Sequence, residues 1–118
     1  MLTELFVSNL AVVDRVTATF GPGFNVVTGE TGAGKSLIIG SLQLALGGRA
    51  SSDLVRQGEK EAEVIARFEL PADGGIPEAE DGVLLLRRVV GADGRSRAYL
   101  NDRPATVTAL REVGQRLA

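Results

Sequence analysis

Cysteine and histidine are both missing from this sequence of 118 residues. Without cysteine there is no disulfide framework and no thiolate metal site. Without histidine the usual zinc ligand, the commonest general base and any Ser-His-Asp triad are excluded. Aromatic residues are scarce: Phe6, Phe20, Phe24, Phe68 and Tyr99 are too few for a platform on which the bases of a single strand would stack. No apolar run reaches the length needed to span a bilayer. The opening MLTELFVSNL carries Glu4 and no basic residue, so it lacks the pattern of a signal peptide. With 44% apolar and 24% charged residues, the chain is expected to fold as a soluble cytoplasmic domain without a membrane partner.

The formal net charge of −2 conceals an uneven distribution. Residues 49–82 carry four basic and nine acidic side chains, whereas residues 83–118 carry seven basic and three acidic. Arg87, Arg88, Arg95, Arg97 and Arg103 fall together in the second stretch. A strand presents alternate residues on one face, so Arg95 and Arg97 can act together while Arg87 and Arg88 point apart. The pair Arg95 and Arg97 fits a DNA-facing patch, and it equally fits a solvated sheet face.

Periodicity predicts strands over 1–8, 12–20, 62–70, 83–90 and 95–101, with a turn at Asn9-Leu10-Ala11. Phe24 to Thr28 is a short apolar run of the kind that forms a strand buried on both faces. Lys35 to Leu46 predicts a largely buried helix, ended by Gly47-Gly48. In the 91–94 turn Asp93-Gly94 is expected to supply positive φ. Thr106 predicts the N-cap of a final helix with Val107, Leu110, Val113 and Leu117 on one face.

Residues 29–36 read Gly29, Glu30, Thr31, Gly32, Ala33, Gly34, Lys35 and Ser36, an ungapped match to G-x-x-x-x-G-K-[ST] between a predicted strand and a predicted helix. The glycines let backbone wrap a phosphate without Cβ atoms in the way, and the helix N-terminus adds positive potential. Lys35 is placed to reach the β- and γ-phosphates of ATP, and Ser36 to offer its hydroxyl to Mg²⁺. Hydrolysis also needs a carboxylate at the end of a second apolar strand, and none follows the loop. Leu10-Ala11-Val12-Val13-Asp14 precedes it and reads as a solvated Asp near a turn. Leu46-Gly47-Gly48-Arg49 lacks the serine of an ABC signature and reads as a helix cap. The sequence therefore holds half of an ATPase and no catalytic residue.

With the loop and its neighbours in place, the chain resembles the RecN family, SMC- and Rad50-like ABC ATPases of bacterial double-strand-break repair. The likeness is carried by LFVSNLAVVD at 5–14, FNVVTGETGAGKS at 24–36, LGGRA at 46–50, LVRQG at 54–58, LLRRVV at 85–90, GRSRAYLN at 94–101 and LREVG at 110–114. Gly40 departs from it, standing where family members tend to carry Asp. The resemblance implies an α/β fold: the N-lobe of an ABC-type P-loop NTPase head, with a mixed sheet, β-hairpins and a phosphate-loop helix. Residues 1–118 would be that lobe, completed by a C-terminal lobe beyond a long coiled coil. That second lobe would bring the signature motif and the catalytic carboxylates. Two heads would sandwich ATP in a homodimer that acts on DNA at the nucleoid. Asn9 would lie near the adenine, and Arg49 and Arg56 near nucleotide or DNA. The alternatives are a transporter-type ABC subunit and a small P-loop kinase.

Overall fold

The computed structural model describes residues 2–10, 13–19, 32–70, 79 and 81–117. The strict alternation of residues 61–69 produces β3 (Glu61–Glu69), whose Ala62, Val64, Ala66 and Phe68 are buried while Glu61, Glu63, Ile65, Arg67 and Glu69 face the other way. Around it run β1 (Leu2–Leu10), β2 (Val13–Thr19), β4 (Val83–Gly91), β5 (Ser96–Leu100) and β6 (Arg103–Ala105). The six strands form one sheet in the order β2-β1-β3-β4-β5-β6, with every pairing antiparallel. Two α-helices are described, α1 (Gly32–Ala45) and α2 (Val107–Leu117). The predicted strand at 24–28, with the parallel pairing that it would bring, lies outside the described residues.

The core joins one face of the sheet to both helices. Leu5, Val7, Val64, Ala66, Leu84, Leu86 and Val90 meet Ile38, Leu44 and Ala45 of α1 and Leu110 and Val113 of α2. The buried side of α2 is the one its 3.6-residue periodicity predicts. Thr106 caps it as expected, its Oγ1 accepting a hydrogen bond from the Ala109 amide at 3.0 Å.

Three sequence expectations are corrected, and one strand is added. Residues 9–10 do not turn: β1 continues through Leu10, with Asn9 accommodated at a φ of 55°. A short side-chain amide tolerates this left-handed backbone better than most residues do. The α1 helix starts at Gly32, three residues before Lys35. The β4–β5 turn takes positive φ at Gly94 alone (89°), while Asp93 accepts a bond from the Arg95 amide through Oδ1. With the Gly91 amide bonded to the Arg95 carbonyl, this is a three-residue loop closed by a left-handed glycine. Finally, residues 103–105 form β6, which admits Pro104 because it is the edge strand and needs no donor there.

The β5–β6 turn does use two left-handed residues, Asn101 (φ 48°) and Asp102 (φ 66°). Asn101 is also tied to β4: its Oδ1 accepts from the Leu85 amide at 2.6 Å and its Nδ2 donates to the Val83 carbonyl at 3.2 Å.

Candidate nucleotide site and its supports

The described part of the GETGAGKS motif is its second half. Gly29, Glu30 and Thr31 lie outside the described residues, as do the side chains of Gly32 to Ser36. The backbone of Gly32, Ala33, Gly34 and Lys35 forms the first turn of α1. The first four N–H groups of any helix lack a partner within it. Here all four belong to the motif, at the positive end of the helix dipole, and no acidic residue sits in that first turn. A phosphate chain is the ligand that this donor set fits. Among the described residues no cluster of three or more metal-ligating side chains exists.

The opposite end of α1 is held by arginines from two other elements. The helix has no basic residue in its own last turn. Arg88 of β4 fills that role from outside, its Nη1 donating to the carbonyls of Leu44 (3.0 Å) and Gly48 (2.9 Å). Its Nη2 reaches Ser96 Oγ of β5 at 3.3 Å, and its Nε has no partner among the described residues. Arg111 of α2 donates through Nε to the Gly47 carbonyl at 2.9 Å. Gly47 has a φ of 98°, and a Cβ there would sit 2.4 Å from Arg111 Cγ, so glycine is required for this approach. Arg88 is only 2% exposed. Burial first, and the like charge of Arg111 second, push its guanidinium below its ordinary pKa.

Sequence reasoning missed this function of Arg88 and counted it with the surface arginines. A signal was available, because Arg88 shares its strand face with Leu84, Leu86 and Val90, all buried. Arg87 points the other way, as alternation predicts. It pairs with Glu63 and lies over the Tyr99 ring, 4.8 Å from its centroid.

Arg95 and Arg97 both line an open hollow of about 770 Å³ beside the β4–β5 turn, together with Lys60, Glu61 and Asp93. The hollow is less basic than the arginine count suggests. Arg97 pairs with Glu61 at 2.9 Å and Arg95 with Asp93 at 3.9 Å. Both pairs are solvent-exposed, and such pairs contribute about 0–1 kcal/mol, so neither holds its arginine firmly. Antiparallel pairing brings acidic β3 residues beside this basic segment, a neighbourhood that the regional charge count could not show.

Asn9 and Arg56 come together through the backbone, the Arg56 amide donating to the Asn9 carbonyl at 2.8 Å beside a bridge between Leu10 and Val55. Arg49 is exposed and follows the glycines that end α1. The helix cap read at Gly47-Gly48 is present, with the Gly48 amide bonded to the Gln43 carbonyl at 2.8 Å. No described helix is long and apolar enough to cross a membrane.

A family profile described as AAA domain matches residues 4–84. The DNA repair protein RecN of Halalkalibacterium halodurans is 44% identical over 99% of this chain and 22% of its own length. An SMC ATPase, solved in work on ATP-driven dimerization and DNA stimulated activation of such enzymes, superposes with a TM-score of 0.80 at 30% identity, over 98% of this chain and 78% of that one. The Smc head domain of Pyrococcus furiosus, bound to the C-terminal domain of ScpA, gives 0.81 at 29% identity over 98% and 32%. The chain thus spans about a fifth of the length of the curated RecN relative. Its fold is that of the N-lobe of an SMC-like ATPase head, and neither the transporter nor the small-kinase alternative is favoured. With more than half its residues covered by the profile, the chain belongs to the AAA domain family.

Proposed function

We propose that this chain is the ATP-binding half of a RecN-type, SMC-like ATPase head that serves DNA double-strand break repair and recombination. The observation that carries the reading is that the first turn of α1 is built from the motif itself, Gly32 to Lys35. The four amides of this turn, which have no partner within the helix, and the positive helix end then meet the β- and γ-phosphates, with Gly29 to Thr31 completing the wrap. Lys35 adds a point charge there. Ser36 would hold Mg²⁺, which when bound neutralises charge building on the phosphate oxygens.

The remaining parts come from the C-terminal lobe of the same protein and from a second head. A C-terminal lobe supplies the carboxylates, and a second head supplies the signature across an ATP sandwich, giving a homodimer of heads. Arg95 and Arg97, with Lys60 beside them, face the DNA phosphates. Asn9 with Arg56 lies near the base, and Arg49 contacts nucleotide or DNA. The complete protein works in the cytoplasm at the nucleoid. Residues 1–118 alone bind nucleotide but do not turn it over, since positioning and charge stabilisation account for most phosphoryl-transfer catalysis. The test is phosphate release from residues 1–118 with and without an added C-terminal segment. Release only in the reconstituted head is expected. Equal turnover by the short chain, abolished by Lys35→Ala, would contradict the half-site reading and indicate a compact kinase-like enzyme.

A further inference from the structure

The arginine at the far end of α1 is expensive for what packing alone requires. Arg88 is buried, and among the described residues its hydrogen bonds go to two carbonyls and a hydroxyl, not to a carboxylate. It lies close enough to Arg111 to be perturbed by it, and its Nε is unpaired among the described residues. Among the described residues, this buried cation is compensated by carbonyl dipoles, the negative helix end and one hydroxyl. An apolar side chain of similar volume would fill the same space without the desolvation cost. What an apolar side chain cannot do is fix α1 along its axis. The guanidinium fork holds two carbonyls of the helix end, Leu44 and Gly48, and at the same time Ser96 of β5. Arg111 ties the intervening Gly47 carbonyl to α2.

An α-helix is stiff along its axis. A displacement at the carbonyl end of these 14 residues therefore reappears about 20 Å away, at the amides of Gly32 to Lys35. Placement on this scale matters, because a misplacement of about 1 Å in a site can cost on the order of 10²-fold. We infer that Arg88 is a positioning residue for the nucleotide site: it sets the axial position of α1 against the β4–β5 hairpin, and through the helix the placement of the phosphate-binding amides. This inference rests on the ATP-binding reading above and adds to it a residue a helix length from the motif.

The experiment is done on the full-length protein, with a fluorescent ATP analogue as the binding probe and melting followed in parallel, at a temperature well below every melting point. Arg88→Met keeps the volume and removes the fork, at some cost in stability from the carbonyls left without their donor. Arg88→Lys keeps the charge but lacks the planar fork. Thr106→Ala removes the α2 cap and serves as the stability control, since the bond it loses is local to the start of α2. We expect at least tenfold weaker nucleotide binding in Arg88→Met and at least threefold in Arg88→Lys. Thr106→Ala should melt earlier yet bind within twofold of wild type. If Arg88→Met does not fold, Arg88→Lys carries the test. Binding within twofold of wild type in the folded Arg88 variants would overturn the inference. So would a loss in Thr106→Ala as large as that in Arg88→Lys, which would reduce the effect to general stability. Absence of nucleotide binding by the wild-type protein would instead overturn the ATP-binding reading itself.

Discussion

Arginine is used in opposite ways at the C-terminal end of α1 and at the tip of the β4–β5 hairpin. At the helix end, Arg88 is buried and bonded to backbone carbonyls and a serine. At the hairpin tip, the Arg95 side chain is 89% exposed and opposes Asp93 at 3.9 Å. The chemistry of the side chain is the same, and its environment decides its role. Where water is excluded, a guanidinium must satisfy itself on fixed dipoles and becomes part of the framework. Where water is plentiful, its pairings are weak and exchangeable, which suits a surface that trades a carboxylate for a phosphate. The two regions are connected, because Ser96, which accepts from Arg88, lies between Arg95 and Arg97 in sequence.

The largest effect expected from breaking this contrast is on stability. Arg88→Ala should cost roughly 2–4 kcal/mol, because it leaves a cavity and strips partners from the carbonyls at the helix end. Arg97→Ala should cost less than about 1 kcal/mol, as befits one member of an exposed pair. Denaturant titration of both variants checks the difference, and equal losses would erase the distinction between the two regions.

A smaller effect, of opposite sign, is expected in the middle of α1. Gly40 lies in the helix, is exposed, and a Cβ added there would meet nothing within 4 Å. Gly40→Ala should therefore stabilise the protein by up to about 1 kcal/mol through helix propensity. Thermal melting reads this directly, and a loss of stability would mean that the exposed face of α1 is covered by something that needs the glycine. Ile39 beside it, 59% exposed, is the one large apolar side chain so exposed among the described residues.

At the hairpin tip the expected effect is on binding alone. Replacing Arg95 and Arg97 together with Ala should flatten the salt dependence of DNA binding by the full-length protein, by roughly one unit of slope for each phosphate that is no longer neutralised. Titrations across a range of salt concentrations measure it. An unchanged slope would make both arginines solvated surface.

How much of this was legible in the sequence follows the range of the forces involved. The alternation of Ala62, Val64, Ala66 and Phe68 and the spacing of Val107, Leu110 and Val113 are local patterns, and they gave β3 and α2 with nearly correct bounds. Thr106 revealed its cap because the bond spans three residues. Arg88 was not legible in this way, because its partners Leu44 and Gly48 lie about forty residues away. The left-handed Asn9 inside β1 likewise has a distant partner, its carbonyl accepting from the Arg56 amide 47 positions further along the chain. The candidate nucleotide site was legible for the converse reason. Its proposed donors are consecutive backbone amides, so a motif of eight residues suffices to suggest it. The start of α1 at Gly32 shows that the glycines themselves enter the helical turn, which helix propensity argues against.

Everything proposed for the site depends on Lys35 and the amides of this turn binding the phosphates of ATP. Calorimetric titration of the full-length protein with Mg²⁺-ATP, beside the Lys35→Ala variant, tests this most directly. Saturable binding by the wild type and at least tenfold weaker binding by the variant are expected, with melting of the nucleotide-free proteins unchanged. Wild-type affinity in Lys35→Ala would contradict it.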